Sequence, residues 1–406
     1  MVRSIDGFYV PSFFYIKLDT QKKLNEIINT EEESTFIHEY IHMLQDISLV
    51  CTRNILWQNV NRFRAFSKEI RENNKKNRPI HLSSKNDIVN TNVFTYLWGG
   101  NYNVDKAVIN DISIGETDLG NGIITKDIIL HLTDDKENRI NYKVGRCDFL
   151  ENMAYEIENY IYPSVELPDF PYKTIRKILE FKGIQNSNYI VSQICELALS
   201  SFHPVEALII FLSRTKGITQ TDVLYSDMYD DITIRNYDGS IITKEEIDKK
   251  AFSDSLAMVK DWFKSPAVSV IGTWIDNILT IGEKFRNENI VYISDIITKD
   301  REEARKIIYQ HIVTTGIPVV FNKEYIPQQI DPNMTKANTF LLLALDELYS
   351  YVQDTRLHCN LTEFCKKSNE SLVNENCYCD IIKQTERDGL CPISVWITIF
   401  GFKDIK

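Results

Sequence analysis

The stretch Thr35-Phe-Ile-His-Glu-Tyr-Ile-His-Met-Leu44 decides both the fold and the chemistry of this 406-residue chain. Its apolar residues recur at helical spacing, and the pattern continues to Val50, so the stretch is predicted to be a buried helix. His38 and His42 stand four residues apart and therefore lie on one face of that helix. Both imidazoles can then bind one zinc ion, while Glu39 is turned by about 100° and lies beside the ion.

The order His-Glu-x-x-His is the one that zinc-assisted hydrolysis needs. Zinc lowers the pKa of a bound water towards about 7. Glu39 can take a proton from that water as it attacks a peptide carbonyl, and can pass the proton to the leaving amine. The spacing therefore predicts His38 and His42 as ligands and Glu39 as the general base. The alternative is an amphipathic helix in which two histidines happen to fall four residues apart.

On these residues the chain resembles the zincin metallopeptidases, and the resemblance extends from Thr35 to Leu49. Metzincins have Gly and His three and six residues after the second histidine, where this chain has Gln45 and Ser48. The sequence also has no glutamate between Glu39 and Glu69 that could serve as a nearby ligand. The resemblance is therefore to the gluzincins. It implies an α+β, zincin-like catalytic domain with a mixed sheet, the histidine helix and a separate glutamate helix.

A catalytic zinc takes three protein ligands and keeps one position open. The run Glu151-Asn-Met-Ala154 is similar to the Glu-x-x-Ala pattern of the gluzincin glutamate helix. The resemblance implies Glu151 as the third ligand, with Glu158 as the alternative. Gluzincins often have Asp after that alanine, where this chain has Tyr155. Asp148 and Glu151 also have the spacing of a capping box, so a capping role for Glu151 stays open.

Other polar residues have predicted supporting roles in such a site. Asp46 follows His42 by four residues on the same helix face. It is interpreted either as a carboxylate that orients a histidine N–H or as a solvated or capping residue. A donor to the oxyanion is also expected. The candidates for this donor are Tyr155, Tyr160, Arg146 and His203.

Along the chain, the patterns predict three units: a zincin-like catalytic domain over 1–165, a mainly helical domain over 166–330, and a helix followed by a cysteine-rich segment over 331–406. In the first unit, the aromatic run 8–17 is prone to form a strand, and Pro11 within it favours an edge strand. Zincins bind substrate as an additional strand along a sheet edge, and this run could supply that edge. The alternative is a strand of the core.

Five cysteines lie within 33 residues of the last unit: Cys359, Cys365, Cys377, Cys379 and Cys391. Such clustering suits a structural zinc held by thiolates. The spacing lacks Cys-x-x-Cys pairs, so ordinary buried thiols are the alternative. One catalytic zinc ion is therefore expected, and a second, structural ion stays open.

The composition is that of an ordinary globular protein, with 43% hydrophobic and 25% charged residues. A formal net charge of −11 argues against a nucleic-acid partner, because an acidic chain repels phosphates. The basic stretch Arg71–Arg78 is predicted to be a solvated helix end and loop. Neither a secretory signal nor an apolar run of about 18 residues is recognised, so a cytoplasmic protein without a membrane partner is expected. The abundance of Ile, Asn and Lys suggests a bacterial or phage origin.

These observations lead to one expected function and two alternatives. The expected function is a zinc metallopeptidase, an endopeptidase that acts on a protein or peptide substrate. Glu39 favours this function, because a purely structural zinc site does not need that carboxylate. The first alternative is a zincin-fold regulatory or binding protein with a non-catalytic zinc site. The second is a helical interaction module without zinc.

Overall fold

The computed structural model of the chain is a mixed α+β structure in which helices predominate. The structure describes residues 7–30, 32–73, 79–100, 103–119, 124–214, 234–235, 241–324, 326–329, 334–353, 358–368, 370–379, 381 and 391–402. Most of the basic stretch Arg71–Arg78 lies outside these ranges. Within them, no helix combines the length and the apolar character needed to cross a membrane.

The helices of the described ranges, numbered in chain order, are α1 (Leu24–Ile27), α2 (Glu32–Ser48), α3 (Val50–Asn73), α4 (Lys85–Trp98), α5 (Arg146–Ile161), α6 (Thr174–Phe181), α7 (Asn188–Leu199), α8 (Pro204–Arg214), α9 (Lys244–Trp262), α10 (Ser269–Glu288), α11 (Arg301–Thr315), α12 (Lys336–Gln353), α13 (Thr362–Ser368), α14 (Asn376–Cys379) and α15 (Pro392–Phe400). The strands are β1 (Gly7–Val10), β2 (Tyr15–Leu18), β3 (Ala107–Asp118), β4 (Ile124–Asp134), β5 (Arg139–Lys143), β6 (Ile234–Arg235), β7 (Ile241–Ile242), β8 (Val319–Phe321) and β9 (Pro327–Gln329). Short 3-10 helices occupy Ser294–Thr298 and Glu370–Leu372.

A four-stranded sheet of order β1-β2-β8-β9 supports the N-terminal part of the chain. β1 and β2 form an antiparallel hairpin, and β8 pairs with β2 in parallel, with Ile16 opposite Val320. The run 8–17 therefore forms a hairpin instead of a single strand. Its turn begins at Pro11 and includes Ser12 at a φ of 70°. β1 is an edge strand, as Pro11 predicted.

Helix α2, which contains the His-Glu-x-x-His motif, lies inside the protein. Of its 17 residues, 15 are buried, and a helix that is buried all round belongs to a core. It packs against the β1–β2 hairpin, α5 and α10. The approach of α10 needs Gly282, because a Cβ atom there would lie 2.2 Å from the backbone oxygen of Ile47. The two histidines are thus held on a helix with little freedom to move.

The meander β3-β4-β5 leads directly into α5, the predicted glutamate helix. α5 begins at Arg146, and the Asp148 carboxylate accepts a hydrogen bond of 2.8 Å from the Gly145 N–H. The same carboxylate accepts hydrogen bonds from the hydroxyls of Tyr142 and Thr174 at 2.7 and 2.6 Å. Asp148 therefore caps the helix, and the capping role that stayed open for Glu151 falls to Asp148.

One hydrophobic core extends through the parts of the chain that the structure describes. Ile16, Leu44, Ile275 and Leu343 belong to the same cluster of buried residues, although they come from all three predicted units. The region 166–330 is mainly helical, as predicted, but it also contributes β8 to the N-terminal sheet. The division into three domains stays a prediction.

Candidate metal centre

His38, His42 and Glu151 form a group that could bind a metal ion, because one ligand atom from each lies within 4.8 Å of the others. His38 Nε2 is 3.2 Å from Glu151 Oε2, and His42 Nε2 is 3.3 Å from Glu151 Oε1. All three residues are buried. Among the described residues, no other set of three His, Cys, Asp or Glu side chains meets this condition. The fold therefore brings Glu151 on α5 to the two histidines of α2.

Each histidine is oriented through its second ring nitrogen. His38 Nδ1 lies 2.8 Å from Glu158 Oε2, and His42 Nδ1 lies 2.8 Å from Gln45 Oε1. Gln45 in turn donates a hydrogen bond of 3.0 Å to the carbonyl oxygen of Leu150 on α5. An acceptor at Nδ1 keeps the proton there and leaves the Nε2 lone pair for a metal ion. Glu158, the alternative third ligand, thus contacts His38 on the side away from Glu151.

The ligand atoms themselves indicate that a cation fits this position. His42 Nε2 and Glu151 Oε1 are buried and lie 3.3 Å apart, but they form no hydrogen bond of regular geometry with each other or with another described atom. A buried polar atom without a partner costs about 1–3 kcal/mol. A metal ion between the two imidazoles and the carboxylate would satisfy both atoms at once. The donor set and its burial therefore fit a metal ion.

The charges around the centre also favour a cation. Burial lowers the pKa of His38, but the carboxylates of Glu158 and Glu151 outweigh this effect and hold that pKa well above its usual value. Burial raises the pKa of Glu151, but His42 and His38 outweigh this effect and lower that pKa to about 2. Glu39, which follows His38 in α2, is also fully buried. The two buried carboxyl groups of Glu151 and Glu158 lie against the imidazoles, and the local field attracts positive charge.

Tyr172 lies beside the centre, although the sequence analysis did not single it out. Its ring centroid is 6.0 Å from that of His38. Burial raises the pKa of Tyr172, and the nearby carboxylates of Glu151 and Glu39 raise it further. Tyr172 belongs to an irregular segment between α5 and α6, where no periodic pattern predicts the direction of a side chain. Its position shortly after the glutamate helix is the one weak indication in the sequence that Tyr172 lies near the metal centre.

A cleft of about 650 Å³ lies next to Tyr172. Its described walls combine aromatic and apolar residues, such as Phe94, Trp98 and Tyr172, with polar and charged ones, such as Arg62 and Asp346. Tyr172 therefore lines the cleft on one side and contacts His38 on the other. Val10, the last residue of edge strand β1, lines the same cleft. None of His38, Glu39, His42 and Glu151 is among the described residues that line the cleft, so the cleft approaches the centre through Tyr172.

Asp46 connects α2 to the β1–β2 hairpin. Its Oδ2 atom accepts hydrogen bonds from the Tyr9 hydroxyl at 2.9 Å and from the Ser12 N–H at 2.8 Å. Burial raises the pKa of Asp46 to about 6. The histidine N–H groups, which Asp46 would orient in one of its two interpretations, lie next to Glu158 and Gln45. Asp46 therefore binds the β1–β2 hairpin to α2.

Three of the four candidate oxyanion donors have contacts elsewhere, and the fourth, His203, has a lowered pKa. Lys173 Nζ lies 5.4 Å from the ring centroid of Tyr155, and the Tyr160 hydroxyl donates to a backbone carbonyl oxygen at 2.5 Å. Arg146 donates to side chains of α3 at 2.9 and 3.0 Å. Burial, together with the charge of Arg146, lowers the pKa of His203 to about 4. Tyr172 is the phenol that the fold places beside His38.

The predicted cysteine site lies apart from the histidine–glutamate centre. Four of its five residues line one small cavity: Cys359, Cys365, Cys377 and Cys391. Cys379 is exposed, and its Sγ atom donates to the carbonyl oxygen of Glu375 at 3.2 Å. The structure therefore brings four of the five predicted thiols together and leaves Cys379 outside the group.

Comparison with known proteins identifies no relative of this chain. No family model, no curated protein and no solved structure matches it. The resemblance to the zincins therefore depends on the His-Glu-x-x-His motif and on the buried group formed by His38, His42 and Glu151. The function has to be inferred from the chemistry of these residues and of their neighbours.

Proposed function

We propose that the chain is a zinc-dependent metallopeptidase that hydrolyses peptide bonds of a protein substrate. The observation that supports the proposal most is the convergence of His38 Nε2, His42 Nε2 and the Glu151 carboxylate within 4.8 Å. Two imidazoles and one carboxylate are a ligand set of catalytic zinc sites, which keep a further position open. The proposed fold class is a zincin-like domain in which α2 is the histidine helix and α5 is the glutamate helix.

A zinc ion held by these ligands supplies a Lewis acid that polarises the scissile carbonyl and lowers the pKa of a water molecule towards about 7. Glu39 follows His38 in α2 and accepts a proton from the attacking water, then returns it to the leaving amine. Its full burial suits this role, because a desolvated carboxylate binds a proton more readily. The Tyr172 hydroxyl donates a hydrogen bond to the developing oxyanion, as such sites require.

The cleft beside Tyr172 supports an extended peptide as the substrate. β1 is an edge strand, and its Val10 end lines the cleft, so a peptide could pair with this edge through its main chain. Phe94 and Trp98 in the cleft wall favour a bulky apolar side chain on the substrate. The proposed substrate is therefore an unfolded or extended segment of a protein with an apolar residue near the cleaved bond.

One observation favours the alternative of a regulatory protein with a non-catalytic zinc site. His38, Glu39 and Glu151 are all 0% exposed, and a closed site is typical of structural zinc. Against this, structural zinc sites take four protein ligands, whereas the group found among the described residues has three. Glu39 would also have no function in a structural site.

Replacement of Glu39 by glutamine tests the two functions directly. Glu39→Gln keeps the size of the side chain and removes its capacity to accept a proton. We expect both proteins to bind one zinc ion at this centre, measured by elemental analysis. We expect only the wild type to create new peptide N-termini in a proteome, measured by N-terminal labelling and mass spectrometry.

Glu156→Gln is a matched control, because Glu156 is a buried glutamate of α5 that pairs with Arg176, and none of its described partners is a residue of the metal centre. It should cleave like the wild type. Equal cleavage by the wild type and Glu39→Gln would remove Glu39 from the mechanism. Zinc retention without any cleavage by the wild type would favour the regulatory alternative.

A further inference from the structure

Four cysteines from separate parts of the C-terminal segment meet at one place. Cys359, Cys365, Cys377 and Cys391 line a common cavity, and all four are free thiols. The Cys359 N–H also donates to the Cys377 carbonyl oxygen at 2.8 Å, so the backbones of two of them are in contact. Residues that lie as far as 32 positions apart are therefore held around the same point.

The size and chemistry of this cavity limit what can occupy it. Its volume is about 20 Å³, which is close to that of a single water-sized sphere. Apart from the sulfur atoms, its walls are formed by Thr362, Ile381, Pro392 and Ile393. The Thr362 hydroxyl already donates to the Cys359 carbonyl oxygen at 2.7 Å. A buried water needs two to four polar partners, which this cavity does not offer among its described walls.

We propose that these four cysteines form a second, structural zinc site with four thiolate ligands. Four-coordinate sites with four cysteines are a common form of structural zinc, with Zn–S distances of about 2.3 Å. The sulfur atoms here are spaced more widely than the 4.8 Å that the histidine–glutamate group satisfies. Binding therefore has to draw the sulfur atoms inward around the cavity.

The local structure explains why this segment needs a metal crosslink. Its described regular elements between 358 and 379 are the short helices α13 and α14 and one 3-10 helix. Such elements have few backbone hydrogen bonds of their own and form marginal structure when isolated. Zinc would join them to Cys391, which caps α15, and α15 packs on α12 through the core residue Trp396. The ion would thus fix the segment to the main body of the protein.

The zinc content of purified protein tests this proposal separately from the proposed function. We expect two ions per chain in the wild type and one in Cys365→Ser. Cys379→Ser is the matched control and should keep two ions, because Cys379 is exposed and lies outside the cavity. A variant with His38→Ala and His42→Ala should keep one ion, because the cysteine site does not depend on the histidines.

A second measurement keeps the test valid if Cys365→Ser does not fold. Wild-type chain loaded with cobalt should show the absorption band of thiolate-to-cobalt charge transfer, and His38→Ala/His42→Ala should retain it. Absence of this band in the wild type would overturn the proposal. Two disulfides among the four cysteines in native protein, detected by mass spectrometry, would also overturn it. If peptidase activity is absent while this band is present, the result contradicts the proposed function and leaves the cysteine site supported.

Discussion

Replacement of Glu158 by alanine removes the acceptor that orients His38. Glu158 Oε2 lies 2.8 Å from His38 Nδ1, and the two residues are 3% and 0% exposed, so water cannot easily substitute for the carboxylate. Loss of such a partner weakens metal binding by about 10- to 100-fold. This change corresponds to about 1.4–2.8 kcal/mol of binding free energy. We therefore expect zinc to remain bound at high concentration but to be removed by a weaker chelator than the wild type requires.

Competition with a chromogenic chelator measures this affinity in folded protein. Glu158→Gln keeps an oxygen acceptor and should lose less than the alanine variant. Glu151→Ala removes a ligand and should lose far more than Glu158→Ala. Glu156→Gln, from the same helix, should bind zinc like the wild type. Wild-type affinity in Glu158→Ala would refute the orienting role, and a loss as large as that of Glu151→Ala would make Glu158 a ligand.

Two other substitutions test the surroundings of the centre. Tyr172→Phe removes the hydroxyl but keeps the ring beside His38. We expect kcat to fall by about 10²–10³-fold while the zinc content stays the same. An unchanged kcat would show that the Tyr172 hydroxyl has no part in the mechanism. Gly282→Ala places a Cβ atom 2.2 Å from the backbone oxygen of Ile47, and denaturant titration should show a free energy of unfolding lower by about 1–3 kcal/mol. Gly115→Ala is the control, because no atom lies within 4 Å of the Cβ that this substitution adds. Equal stability of the two variants would contradict the close packing of α2 and α10.

The sequence predicted the parts of the fold that depend on local pattern. The helix around His38 follows from its periodicity, and the helix that contains Glu151 was expected from the resemblance to the gluzincins. Glu151 and Glu158 were harder to distinguish, because they stand seven residues apart on the same helix face. In the structure both carboxylates contact His38. Glu151 lies at its Nε2 atom and Glu158 at its Nδ1 atom. Their roles depend on how α5 crosses α2, which no local pattern contains.

The sequence analysis missed two residues of the site, one with a local contact and one with a long-range contact. Gln45 was used only to exclude metzincins, although it stands three residues after His42 and can reach its Nδ1 atom. Tyr172 lies in an irregular segment, so its direction is set by packing against His38. The pairing of β8 with β2 was also not predicted, because a three-residue strand gives no sign of a partner so distant in sequence.

The parallel pairing of β2 with β8 has a consequence for the growing chain. During translation, the residues of α2 leave the ribosome long before Val319–Phe321. Until then the β1–β2 hairpin has no third strand, and an isolated two-stranded ribbon is marginally stable in water. The sheet that supports α2 is therefore completed only when most of the chain has been made.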